Sequence, residues 1–324
     1  MPQTSETQAS SKFVAIDTET EGVEWEHRPF CMTASWRNSA GELESRYFEL
    51  SVPEAYDKAK EILRLAKGTV FHNAKFDLQK LILVGLLDLG GLQSDRIHNT
   101  ECIAHLLDEQ RLKGLKFLAR EILGEDTDEE KVLAQARRDN KLTKADGYDK
   151  LPREVVIPYA IKDTEYTLRL FETLYPQLQK HKDLLALYAQ EQRLELVLLH
   201  METQGMALDM EYLEGAVKQY AMNILQTELD IQDIAGEDFN PNSPKQVIDW
   251  FLAQGIALEG TARDVLETVD HPLAEKILYM RDLKKVHGTY LKPMLQEQRN
   301  GLMHPNFRQH GTKTGRMSSG GVSE

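Results

Sequence analysis

Three short acidic motifs punctuate the first half of this 324-residue chain: Asp17-Thr18-Glu19, Asn73-Ala74-Lys75-Phe76-Asp77 and Tyr159-Ala160-Ile161-Lys162-Asp163. Four carboxylates gathered at one point repel one another and resist ionising together unless cations sit between them. Hard oxygen donors with no paired cysteine suit Mg²⁺ or Mn²⁺ rather than zinc. Two such ions ~3.5–4 Å apart stabilise the attacking and leaving oxygens of phosphodiester cleavage. Asp17, Glu19, Asp77 and Asp163 are therefore expected to hold a pair of divalent ions. Tyr159 offers a hydroxyl that could orient the attacking water. The chemistry implied is that of a metal-dependent nuclease.

The elements that must position these groups are readable from local pattern. Lys12 to Asp17 is short, apolar and β-branched, as a buried strand should be. Side chains two apart leave one face of a strand, so Asp17 and Glu19 point together while Thr18 turns away. Thr69 to His72 reads as another strand, with Asn73 capping a helix that starts near Lys75. Asp77 then falls in the first turn, where the helix dipole favours an anion. Val155 to Leu174 has helical apolar spacing, which puts Tyr159 and Asp163 on one helical face. Each motif alone has a bland reading: an acidic strand end, a capped helix, a solvated helix face. His72 alone at a strand end is taken as structural. The ordered set of three is what carries the signal.

Taken together these motifs resemble the DEDD exonuclease superfamily in its tyrosine-containing branch. The stretches Asp17-Thr-Glu-Thr-Glu-Gly-Val23 and Tyr159-Ala-Ile-Lys-Asp163-Thr-Glu-Tyr-Thr-Leu168 look most like the 3′–5′ exonuclease domain of family A DNA polymerases. The resemblance implies an α/β, ribonuclease H-like domain with a mixed sheet flanked by helices. It also implies that Asp17 touches both ions, with Glu19 and Asp163 completing the nucleophile-side ion. Asp77 would help hold the second ion, directly or through water, and Tyr159 would position the attacking hydroxide. Thr20, Val23, Asn73 and Phe76 become candidate contacts to the DNA strand, Val23 as an apolar wedge beside the terminal bases.

The likeness continues past the nuclease. Gln190 to Gln204, closed by Gly205, is similar to the helix that opens the polymerase domain, with glycine as its C-cap. Phe239-Asn-Pro-Asn-Ser-Pro-Lys-Gln246 resembles the thumb signature, where Ser243 can cap a helix beginning at Pro244. Tyr279 to Leu295 resembles the long helix returning down the thumb, and Thr314-Gly315-Arg316-Met317-Ser318-Ser319 a segment that approaches the primer. Lys284, Lys285, Arg308, Lys313 and Arg316 are the candidate phosphate or groove contacts. From Arg281 to Arg316 eight Lys/Arg and two Asp/Glu give +6, so the rest of a chain of net charge −13 sums to −19. A basic stretch on an acidic protein is the footprint expected of phosphate contacts. The later acidic motifs and the fingers helix of the family are not found, so this chain alone is expected not to polymerise DNA. Half of a split polymerase with a separate C-terminal polymerase chain as partner, one piece of an intein-interrupted gene, and a truncated product are the readings left open.

Composition sets the remaining bounds. Length favours two domains, expected as a disordered tail over 1–11, an exonuclease domain over 12–180 and a helical thumb-like region over 181–324. Gly124 to Lys150 reads as a solvated insertion containing a helix. Cys31 and Cys102 have no metal-like spacing and suit a reducing compartment. No apolar run is long enough to span a membrane, so a cytoplasmic protein is expected, in the host cytoplasm if phage-encoded. The expected partners are single-stranded DNA 3′ ends and primer–template DNA. Two other readings stay open: a non-catalytic DNA-binding assembly half of a split polymerase, and a ribonuclease D-like RNA exonuclease.

Overall fold

The computed structural model describes residues 13–22, 24–143 and 146–320. The expected tail and Val23 lie outside the described residues. The chain forms two compact units, Met1–Gly205 with His304–Glu324, and Met206–Met303.

Unit one is built on a five-stranded sheet of order β3-β2-β1-β4-β5. β1 (Phe13–Thr20), β2 (Pro29–Arg37) and β3 (Leu43–Glu49) form an antiparallel meander. The Asn38–Gly41 turn closes its hairpin, with Gly41 at φ 82°, a left-handed value that suits glycine. β4 (Gly68–Phe71) and β5 (Ile97–Asn99) lie parallel to β1 on its other side. β5 escaped the sequence reading because three residues are too few to show a period. Helices α1 (Pro53–Leu65) and α2 (Ala74–Leu83) supply the crossovers. α3 (Thr100–Leu107), α4 (Leu115–Leu118, widening into a π turn over Ala119–Leu123), α5 (Asp128–Asp139), α6 (Arg153–Leu178) and α7 (Lys182–Gln204) follow.

Strand alternation divides the core in two. Val14 and Ile16 face one way, with Leu78 and Leu81 of α2 and Leu63 of α1. Ala15 faces the other, with Ile103 of α3 and Leu168, Phe171 and Leu174 of α6. Each such side chain contributes about 1.5–3 kcal/mol when fully buried. A one-residue slip of β1 would exchange the two sets, so the cores pin its register.

One expectation is corrected here. The 124–150 segment is not merely solvated: Leu133 buries in a cluster with Leu151 and Val156 of α6, and Ala136, Leu142 and Tyr148 pack against it. The compact unit extends past the expected domain boundary near 180, on to Gly205, because α7 buries Tyr188 and Leu199 in the two cores.

Unit two is mostly helical. α8 (Met210–Ala235) packs along α11 (Pro272–Lys285), with α9 (Pro244–Ala253) and α10 (Arg263–Leu266) closing the core around Ile231, Phe251, Ile277 and Met280. Ser243 accepts from the Gln246 amide with Pro244 leading the helix, as the sequence implies. The helix expected over 279–295 is not uniform: after α11 it widens into a π segment, Val286–Leu291, before α12 (Lys292–Glu297). Pro293 has no N–H to give the carbonyl one turn back, and the turn ahead of it loosens. Short strands β6 (Met206–Ala207) and β7 (Leu302–Met303) pair antiparallel at the unit's two ends. In unit one a further hairpin joins β8 (Asn306–Arg308) to β9 (Ser318–Gly320). Among the described residues no helix is long and apolar enough to cross a membrane.

Within unit one Glu195 of α7 is buried and accepts from the Asn99 side chain at 2.6 Å. Burial raises its carboxyl from 4.5 to about 7, against the pull of Asn99 and Lys75. The folded state then holds this proton more tightly than the unfolded chain. The contribution to stability is complete below 4.5 and fades as pH rises through about 7. Glu195→Gln keeps an acceptor for Asn99 without the charge. Its urea midpoint should change less than the parent's between pH 5 and pH 8 and exceed the parent's at pH 8; parallel pH profiles would contradict this.

Candidate metal centre

Parity along β1 decides which carboxylates meet. Asp17 and Glu19 share the face of Ala15, towards α6, where Asp163 projects from the helix. Ligand oxygens of these three residues lie within 4.8 Å of one another. Asp17 is half-buried, whereas Glu19 and Asp163 are buried at 7% exposure each. Burial is the largest cause raising all three carboxyls. For Asp17 the next causes are the charges of Asp77, Glu19 and Asp163. Asp163 is raised to about 6 by burial, despite the opposing pull of Lys116 and Tyr159.

Asp77 reaches β1 from the other side. It sits in the first turn of α2 at 2% exposure. Its Oδ1 accepts from both the amide and the hydroxyl of Thr18, at 2.9 and 2.7 Å. Thr18, which the sequence reading turned away from the site, is thus the group that ties Asp77 to the strand. Burial raises Asp77 to about 7, with the Thr18 bonds pulling the other way. The structure therefore gathers three acids tightly and holds the fourth through Thr18, near enough for its charge to be felt at Asp17.

Asn73 has φ 65° and ψ 59° before α2 and makes no side-chain cap bond, contrary to the expected cap. Its amide instead donates to Asn99 Oδ1 at 3.2 Å. The left-handed turn aims α2 at β1.

Tyr159 lies one turn before Asp163 on α6. Tyr148 packs edge-on against its ring, with centroids 5.8 Å apart. Lys116, from α4, was missed by the sequence reading. Its ammonium bonds Asp163, reaches Glu129 of α5 at 2.8 Å and stands 4.3 Å from the Tyr159 ring centroid. Glu129 is held in turn by the Tyr166 hydroxyl at 3.2 Å. Among the described residues Lys116 bonds one acid of the cluster, Asp163, and its charge also pulls Asp17 and Glu19 down against their burial. One positive charge cannot offset four carboxylates, so buried repulsion remains and the donor set, all oxygen, suits a hard divalent ion.

The candidate DNA contacts fall into separate places. Thr20 is buried, its hydroxyl donating to the Gly22 carbonyl at 2.6 Å. Phe76 is half-buried on α2. Arg308 lies on β8, and Lys313 and Arg316 are exposed in the β8–β9 turn, all in unit one. Lys284 and Lys285 belong to unit two, where Lys284 pairs with Glu228 at 2.8 Å.

Residues 3–179 match the sequence family described as 3′–5′ exonuclease, and residues 210–321 match DNA polymerase family A. The DNA polymerase of Escherichia phage T5 is 31% identical over 281 residues, covering 78% of this chain and 33% of that one. DNA polymerase I of Chloroflexus aurantiacus is 34% identical over 269 residues, covering 76% and 27%. DNA polymerase DpoZ of Vibrio phage phiVC8 is 28% identical over 313 residues, covering 85% and 49%. The chain thus spans from about a quarter to half the length of these relatives. The fold is similar to a solved POL domain of Pol1 from M. smegmatis in complex with DNA primer-template and dNTP. The TM-score is 0.72 at 22% identity, over 97% of this chain and 52% of that one.

Proposed function

Since the chain belongs to the family A DNA polymerases and carries their 3′–5′ exonuclease domain, we propose that it removes nucleotides from DNA 3′ ends as a proofreading activity. The observation that carries this reading is the convergence of Asp17, Glu19 and Asp163 within 4.8 Å. Those three would hold one divalent ion, Mg²⁺ or Mn²⁺, and Asp17 with Asp77 a second. Such a pair supplies charge stabilisation for the attacking and leaving oxygens. The chain's own groups do the positioning. Thr18 fixes the Asp77 carboxylate, leaving its other oxygen available. Tyr159, wedged between Tyr148 and Lys116, presents a hydroxyl beside Asp163 that would orient the attacking water. Lys116 would release Asp163 when a cation arrives and keep Glu129 as its partner.

The substrate would be an unpaired 3′ end, with primer–template DNA held by the region matching the polymerase family. The match over 210–321 favours this over a ribonuclease D-like activity. Purified chain incubated with a 3′-labelled DNA single strand should release mononucleotides with Mg²⁺ and none with excess EDTA. A matched RNA strand should be cut more slowly. Equal label retention with and without Mg²⁺ would overturn the proposal.

A further inference from the structure

Position 147 is a glycine for want of space. Its φ of −72° and ψ of 160° are open to any residue, yet a Cβ there would run into the main chain of Glu21. Beside it, Asp146 forms an antiparallel bridge with Gly22. The chain entering α6 is thus laid against the residues that follow Glu19 at the end of β1.

The contact is braced on both sides. The Asp146 carboxylate accepts from the amide and hydroxyl of Thr143 at 2.8 and 2.7 Å and pairs with Lys150. Arg153, opening α6, donates to the Asp149 carbonyl at 3.3 Å and grips Glu49 of β3 at 3.0 and 3.1 Å. Tyr148 follows Gly147 directly. Its ring packs against the Leu133, Leu151 and Val156 cluster and meets Tyr159 edge-on, 5.8 Å between centroids at 85°. The Arg137 guanidinium lies 5.7 Å from the Tyr148 centroid. Helix α6 fixes the backbone of Tyr159, but its side chain still chooses among staggered rotamers. Neighbours must make that choice.

We propose that the Gly147–Tyr148 clip is the device that makes it. By tying the Tyr148 ring to the strand end that carries Glu19, the clip sets where the Tyr159 hydroxyl stands relative to Asp17 and Glu19. Tyr148 is a positioning residue and acts through Tyr159. The proposal rests on the exonuclease reading for the use of that hydroxyl, and not for the contact itself.

The first readout needs no catalysis: fluorine NMR of the chain in EDTA with a fluorotyrosine at position 159. Tyr148→Phe, which keeps the ring, should leave the resonance where the parent has it. Tyr148→Leu and Gly147→Ala should both move it towards the shift of the free amino acid. The second readout is single-turnover release from a 3′-labelled strand with Mg²⁺. Tyr148→Leu should slow release about tenfold, a modest share of what misplacing a reacting group can cost, with strand affinity in EDTA unchanged. In a Tyr159→Phe background the same substitution should cost nothing further. An unmoved resonance in Tyr148→Leu, or losses from Tyr148→Leu and Tyr159→Phe that multiply, would overturn the clip. Should Gly147→Ala fail to fold, Tyr148→Leu decides alone. If the resonance moves as expected while the parent releases no nucleotide, the clip stands and the exonuclease reading falls.

Discussion

Asp17→Ala is expected to lower Mg²⁺-dependent release of nucleotides by roughly 10³-fold or more, with single-strand binding in EDTA changed only a few-fold. The magnitude follows from removing a ligand shared between both proposed ions, each supplying several kcal/mol of transition-state stabilisation at about 1.4 kcal/mol per decade. The fold should tolerate the change. Asp17 is pressed by the charges of Asp77, Glu19 and Asp163 as well as by burial, so its loss relieves repulsion rather than breaking a bond. Metal-free Asp17→Ala should therefore melt at or above the parent temperature. Retention of more than a tenth of the parent rate would remove Asp17 from the reaction. Collapse of stability would instead make the cluster a structural feature.

The second large effect is on stability. Glu202, near the end of α7, bonds the Lys75 ammonium and accepts from the Phe307 amide at 2.7 Å. Both ionic side chains are about a tenth exposed, at 9% and 8%. Glu202→Ala leaves a buried ammonium and a buried amide with one partner fewer each. Removing one side of a buried pair typically costs ~3–5 kcal/mol. Urea unfolding followed by fluorescence should show a loss of that order, with Glu202→Gln intermediate because an amide oxygen can still serve Phe307. Pairing Glu202→Leu with Lys75→Met should recover much of the loss, since no unpaired charge remains. A loss below about 1 kcal/mol for Glu202→Ala would mean that water already serves these groups. The same change should loosen residues 304–320, which Glu202 and Lys75 anchor through the Phe307 backbone.

What was legible in the sequence is what local period encodes. β1 shows its alternation in Phe13-Val-Ala-Ile-Asp-Thr-Glu, so Asp17 and Glu19 were assigned to one face without knowledge of the sheet. Tyr159 and Asp163 are four apart on a long helix, and helical geometry does the rest. The mixed sheet and helical remainder followed from the same periods. Asp77 shows the limit. That it meets β1 through Thr18 depends on strand order and on the left-handed turn at Asn73, neither of which has a local signature beyond an asparagine. Lys116 and Glu129 were invisible for a different reason. A lysine in a four-residue helix and an acid in an acid-rich helix look like solvated charge, and only packing of α4 and α5 onto α6 buries them beside Asp163. The return of 304–320 to the first unit is a contact across more than 200 residues, beyond any window that reads propensity.

That return has a topological consequence. The second unit enters at Met206 and leaves at Met303, and these two residues are paired across one antiparallel ladder. Its ends are therefore neighbours, the condition under which domain insertion is tolerated. The chain therefore enters and leaves the helical body through a single doorway, whose two sides are adjacent strands.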